Sequence, residues 1–361
     1  MPTHTRGEAR LRHGFPRSCA RRASVRSIAA VLLALTAVTL AGCGSDGRQA
    51  GSTGTLTSNE TAATTHATTP AAFPITIENC GETVTITEPP TRAITMNQGA
   101  TEIMLALGLE DHMIGTAYLD DAVLPEFQEA YNSVPVLAEK YPSREVLLGK
   151  DPDFVYGSYV SAFGNEGAGD RGSLHGAGIA TYLSPNDCRA EENTPITFDD
   201  VFDEIREIGK IFGVGDRAEK LIADSKAQLA SAAEGVPKGL SVFWYDSGTD
   251  APYTAGCCGA PAMIMNEVGV TNVFAELDGG WADGSWETVV AADPDLIVLV
   301  EASWDTVDSK IKTLARPPMA SMTAVTKEHY ATVPFSSTTP GVRNVNAVID
   351  IAEAIKKKFG S

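Results

Sequence analysis

Apolar and polar positions along this chain follow two rhythms. Residues 75–87, ITIENCGETVTIT, alternate with a period of two, which predicts a hairpin turning about Gly81. Four short apolar runs follow: RAITM (92–96), HMIGTA (112–117), DPDFVYG (151–157) and IATYLS (179–184). Each has the length and flanks of a buried strand. Between the first two lies TEIMLALGL (101–109), whose apolar spacing is helical. Strands alternating with helices predict a mostly parallel sheet. The second half repeats the plan. LSVFWYD (240–246), DPDLIVLV (293–300) and YATVPF (330–335) read as strands. APAMIMNEVGVTNVF (260–274) gives a helix, a glycine, then a short polar step into a strand. NAVIDIAEAIKKKF (346–359) is a closing helix with lysines in its last turn, where the helix dipole favours them.

One phrase occurs twice. Residues 143–158 read SREVLLGKDPDFVYGS and residues 285–300 read SWETVVAADPDLIVLV. Five positions are identical and in register: Ser143/Ser285, Glu145/Glu287, Asp151/Asp293, Pro152/Pro294 and Asp153/Asp295. Two copies of one α/β lobe explain the repetition. Between them, residues 198–235 carry helical spacing through Val201, Ile205, Ile208 and Phe212, then Leu221, Ile222 and Leu229. Thr197 or Asp199 caps the start. Gly213-Val214-Gly215 breaks the pattern, so one helix ends near Phe212 and a long one runs from about Asp216 to Ala233. The expected fold is α/β: two Rossmann-like lobes (73–197 and 236–361) joined by a single long α-helix within the linking segment (198–235), with a ligand cleft between them.

The chain's 361 residues suit two such domains after an N-terminal segment is set aside. Seven arginines within residues 1–42 lead into IAAVLLALTAVTLAG, the charged and apolar regions of a secretory signal. That run is shorter than the roughly 20 residues of a membrane-spanning helix. It ends in Leu40-Ala41-Gly42-Cys43, which resembles a bacterial lipobox. The lipobox rule implies cleavage before Cys43, its lipidation, and anchoring on the extracytoplasmic face of the cell membrane. Residues 43–72 are rich in Gly, Ser, Thr and Ala and predict a flexible tether. The net charge is −18, and setting aside the +6 of residues 1–42 leaves −24. Such a charge argues against nucleic acid as a partner.

Cysteine usage fits an oxidising compartment. Once Cys19 and Cys43 are assigned to the signal and the lipid, Cys80, Cys188, Cys257 and Cys258 remain. A Cys80–Cys188 disulfide would fasten the chain entry to the first lobe. For the adjacent pair Cys257-Cys258 three readings stand: a vicinal disulfide forming a flat apolar plate, a thiolate metal site, or free thiols. Enzyme signatures are missing. His112, His175 and His329 are scattered without HxxxH or HExxH, and the chain has no GxSxG, Walker loop, or GxGxxG after a strand. The expectation is a non-enzymatic protein with no cofactor and no resident metal.

The motifs RAITMNQGATEIMLALGL, SREVLLGKDPD, GGWADGSWETVVAADPD and TTPGVRNVNAVIDIAEAI occur in an order that resembles the substrate-binding lipoproteins of bacterial ABC importers. The resemblance covers residues 75–358, and it is to the helical-backbone branch (class III) that takes iron–siderophores, haem and cobalamin. WDTVDSKIKTL and VPFSSTTPGVRNV also resemble an actinobacterial subgroup linked to a deazaflavin-cofactor precursor. The resemblance implies a monomer that captures a metal chelate of the iron–siderophore type, with cobalamin, haem or a deazaflavin precursor as alternatives. It implies delivery to a permease and its ATPase, with Glu145 and Glu287 docking one lobe each into the permease. It implies ligand contacts from Trp281, from Arg343 toward an anionic chelate, and from Tyr159 and Tyr245. Asn97 and Gln98, after the first strand of the first lobe, join them because α/β sheets bind ligands at the carboxyl edge.

Overall fold

The computed structural model describes residues 72–188 and 193–360. The expected signal segment, the Cys43 lipidation site and the tether lie outside the described residues. The chain enters through the hairpin β1 (Ile75–Asn79) and β2 (Glu82–Ile86). Cys80 and Gly81 both take positive φ there, 51° and 80°, as a two-residue turn between twisted strands requires. The first lobe is a five-stranded, all-parallel sheet of β3 (Ala93–Met96), β4 (Met113–Ala117), β5 (Val136–Ala138), β6 (Phe154–Gly157) and β7 (Ala180–Leu183), in the order β5-β4-β3-β6-β7. The second lobe contains β8 (Ser241–Tyr245), β9 (Tyr253–Ala255), β10 (Thr271–Asn272), β11 (Trp281–Asp283), β12 (Leu296–Glu301) and β13 (Tyr330–Pro334). Its parallel sheet runs β10-β8-β12-β13, and β9 pairs with β11 in a separate antiparallel ribbon.

The link is two helices, Phe198–Ile211 and Gly215–Ala233, parted at Gly213 with φ 70°. A capping box starts the first: the Thr197 hydroxyl accepts from Asp200 N, and the Asp200 carboxylate accepts from Thr197 N. This helix lies on the first lobe, where Phe212 meets Phe154 edge-on at 5.3 Å. The second packs against the closing helix Arg343–Phe359 of the other lobe. Among the described residues no helix is long and apolar enough to cross a membrane.

Because strand side chains alternate in direction, each sheet has two buried faces. On one face of the second lobe, Val242, Trp244, Leu296, Val298 and Val300 join a core that runs through the linking helices to the first lobe. On the other, Phe243, Tyr245, Ile297 and Leu299 pack with Trp286 and Phe274. The first lobe divides the same way, with Phe154 and Tyr156 toward the shared core and Ile94, Met96 and Val155 on the opposite side.

Cys80 and Cys188 are joined as a disulfide, tying the hairpin turn to the chain just after β7. Cys257 and Cys258 form a vicinal disulfide.

Candidate functional site

A cavity of about 260 Å³ lies between the lobes. Four strand ends open onto it. Ser158 and Tyr159 follow β6, Ser184 follows β7, Asp246 follows β8, and Phe335 follows β13. All of these are carboxyl ends, where parallel strands leave their loops free to hold a ligand. Thr338, Thr339 and Pro340, just before the closing helix, form part of the wall. A second cavity of about 550 Å³ adjoins on the first-lobe side and is lined by Asn97, Tyr118, Asp120, Lys140, Tyr141 and Glu166, among others. Tyr159 and Phe335 line both.

Trp281 reaches the first cavity through the β9–β11 ribbon. Trp281 pairs with Ala255 and Asp283 with Tyr253, so Trp281 and Tyr253 are diagonal neighbours on one face. Their rings stack at 5.6 Å and 10°. The ribbon sits against the helix Ala260–Val268 because glycines allow backbone contact: a Cβ on Gly259 would stand 2.8 Å from the Gly280 Cα. The vicinal disulfide lies just before this approach. Cys257 N donates to Leu277 O at 2.8 Å, and Cys258 O accepts from Ile196 N at 3.1 Å. It thereby joins the loop before Trp281 to the chain entering the linking helices.

Electrostatically the cleft is acidic and aromatic. Asp187 and Asp246 face the first cavity from opposite lobes, and among the described residues no Lys, Arg or His lines it. Burial raises the pKa of both carboxyls. In the second cavity burial, reinforced by Asp121, pushes Asp120 up to about 6. Burial carries Tyr159 up to about 12, and its hydroxyl is hydrogen-bonded to Thr339 across the cleft.

Of the residues singled out in the sequence, Trp281 and Tyr159 line the first cavity and Asn97 the second. Three others stand elsewhere. Tyr245 is 1% exposed in the second-lobe core, because strand alternation turns it to the Phe243 and Trp286 face, and its hydroxyl donates to Gly248 O at 2.7 Å. Gln98 is 1% exposed and donates to Glu102 at 3.1 Å. Arg343 is 6% exposed and forked onto the Glu102 carboxylate at 2.5 and 2.6 Å, with a further bond to Ala122 O. It is a structural guanidinium between the lobes and does not face the cavity. Tyr253, Phe335, Asp187 and Asp246 are the cavity residues that sequence reasoning passed over. For Asp246, Phe335 and Asp187 the signal was position alone, within a few residues after a strand, and Tyr253 stands in β9, which is too short to show a periodicity.

The matching periplasmic binding protein model spans residues 94–336, most of the described body. The chain belongs to the periplasmic binding protein family. Such proteins are non-enzymatic carriers serving ABC transporters, and this periplasmic binding protein has their two-lobed architecture. It is 27% identical over 331 residues to YvrC of Bacillus subtilis, an ABC-transporter substrate-binding lipoprotein, covering 90% of this chain and 95% of that one. A periplasmic binding protein of Veillonella parvula superposes with TM-score 0.70 at 31% identity, covering 80% of this chain and 98% of that one. The structure described as an ABC-type Fe3+-hydroxamate transport system, from Saccharomonospora viridis, superposes with TM-score 0.65 at 28% identity, covering 80% of this chain and all of the other.

Proposed function

We propose that this protein is a lipid-anchored carrier that captures a ferric chelate of the hydroxamate type in the interlobe cleft and hands it to an ABC permease. The observation that carries the reading is the cleft wall: Trp281, Tyr253, Tyr159 and Phe335, with no cationic side chain in the first cavity among the described residues. Aromatic faces and hydroxyls suit a compact chelate whose iron charge is balanced by its own ligands. A haem brings carboxylates that call for a basic partner, and Arg343 is already paired. The likeness to the Saccharomonospora protein supports the same class. Lipidation of Cys43 rests on the lipobox and on the likeness to YvrC, named as a lipoprotein.

The fluorescence of Trp281 tests the cargo. Ferric tris-hydroxamate should quench the purified full chain in detergent saturably, and Trp281→Ala should weaken binding at least about tenfold. Saturable binding of haem or cobalamin, with no response to the hydroxamate, would overturn the assignment.

Delivery rests on Glu145 and Glu287. Both are exposed in the first turns of equivalent helices, Arg144–Leu148 and Trp286–Ala292. Beside Glu145, Val146 and Leu148 are 45% and 37% exposed, giving one tip an apolar rim around its carboxylate. Two related carboxylates suit a two-fold permease whose basic pockets fix orientation. Glu145→Ala with Glu287→Ala should leave cargo affinity unchanged and abolish uptake into cells; full uptake by the double variant would refute docking.

A further inference from the structure

The cleft also carries information about the charge of its ligand. Asp187 enters the first cavity from the first lobe, after β7, and Asp246 enters from the second, at the end of β8. They are held differently. One Asp187 oxygen accepts from Val160 N. Asp246 Oδ2 accepts from Ser247 Oγ at 3.0 Å, while its Oδ1 is buried with no hydrogen-bond partner. A buried carboxylate oxygen left unsatisfied is costly, and a positive charge placed in the cavity that Asp246 lines stabilises its carboxylate electrostatically.

The nearby cations among the described residues are committed elsewhere. Lys310 acts on Asp246 electrostatically, but its ammonium is committed to Asp305, at 3.0 Å from the carboxylate and 2.6 Å from the carbonyl, and its side chain is fully buried away from the cavity lining. Arg343 is committed to Glu102. In the neighbouring cavity Lys140 is outnumbered by Asp120 and Glu166. Beside the two carboxylates stand the Trp281–Tyr253 stack and the ring of Tyr159. Carboxylate and aromatic face together are the pairing that recognises an ammonium group.

We infer that the cleft selects a positively charged ligand, an amine-bearing ferric chelate whose ammonium lies among Asp246, Asp187 and the Trp281–Tyr253 stack. This rests on the hydroxamate reading above and adds the charge to it. Neutral chelates of the same shape leave the two carboxylates without a counter-charge. Chelates with net negative charge meet two carboxylates and, among the described residues that line the cavity, no counter-cation.

Two ligands that differ only in this charge supply the test. Ferrioxamine B is a ferric tris-hydroxamate with a free ammonium tail, and its N-acetyl derivative keeps the chelate and loses the charge. Calorimetric titration of the full chain in detergent should show ferrioxamine B binding about tenfold or more tighter than the acetylated form. Asp246→Asn, an isosteric change, should erase that preference, so that the variant binds the two forms within about twofold of each other, and its thermal melt shows that it is folded. Equal affinity of the wild type for both forms would overturn charge selection and leave the hydroxamate reading standing. Binding of the iron-free amine desferrioxamine B, with neither ferric form bound, would support charge selection and overturn the hydroxamate reading. Binding of an anionic ferric tris-catecholate in preference to both would overturn the two together.

Discussion

Glu204 stands on the first linking helix, fully buried, and holds three donors of the first lobe. Tyr156 OH reaches it at 2.5 Å, Ser184 Oγ at 2.8 Å and Asn186 Nδ2 at 3.2 Å. Ser184 and Asn186 also line the ligand cavity, so this carboxyl supports the cleft wall from behind. Burial outweighs the hydrogen bonds and raises its pKa from 4.5 to about 7. The folded state therefore binds the proton more tightly than the unfolded state does. The stabilisation is fully present below pH 4.5, and it is lost as pH rises toward and through about 7. A shift of that size corresponds to about 3 kcal/mol. Melting temperatures measured at pH 5 and pH 8 should differ, with the protein less stable at pH 8. Glu204→Gln should narrow that difference, although the amide presents an N–H to one of the three donors and lowers stability at both pH values. A pH dependence unchanged in the variant would show that Glu204 does not titrate in this range. At the same scale, Tyr245 shows what one sequence withholds. A tyrosine at a strand end faces a cleft or a core according to strand parity and helix cover, and Phe243, Trp286 and Phe274 claim this one.

The repeated sixteen-residue phrase is the element that the sequence disclosed most fully, because most of its shared polar residues serve local backbone geometry. Ser143 and Ser285 both cap helices, accepting from Val146 N and Thr288 N. Asp151 and Asp293 both take the left-handed conformation, φ 52° and 41°. Asp153 accepts from Thr91 N and Arg92 N before β3, and Asp295 accepts from Ser241 N at the start of β8. Each copy therefore ties a helix, a turn and the start of a strand to the neighbouring strand of its sheet. A pattern fixed by such local geometry survives in both halves and is readable. The link was equally legible, with its break at Gly213 and its two helices near the expected limits. The short strands β5, β9 and β11 were not, since three residues carry too little periodicity. The β9–β11 ribbon is the costly omission, because it sets Tyr253 and Trp281 on one face and so builds the cavity wall.

For the molecule as a whole, the contact that decides behaviour is the buried fork of Arg343 on Glu102. Arg343 begins the closing helix of the second lobe, and Glu102 lies on the helix Gln98–Ala106 of the first. Other contacts bridge the lobes beside it: Ser336 N donates to Asp121 at 2.8 Å, Tyr159 meets Thr339, and the Gly99 backbone lies against Pro340. With two packed helices behind and a buried ion pair between, the lobes have little freedom to part. Glu102→Gln removes the partner of a buried guanidinium and should cost about 3–5 kcal/mol of stability in urea unfolding. Replacing both members, Glu102→Leu with Arg343→Met, removes the desolvation of both charges and should recover most of that loss. Scattering then reads the mechanical role. In the unaltered protein, saturating ligand should change the radius of gyration by less than about 1 Å, as in preorganised sites. The double variant keeps apolar packing but lacks the charged fork, and its ligand-free form should expand relative to its ligand-bound form. A contraction of several ångströms in the unaltered protein would show that the lobes open freely despite the fork, and that Arg343 and Glu102 stabilise one state of a hinge instead of a fixed frame.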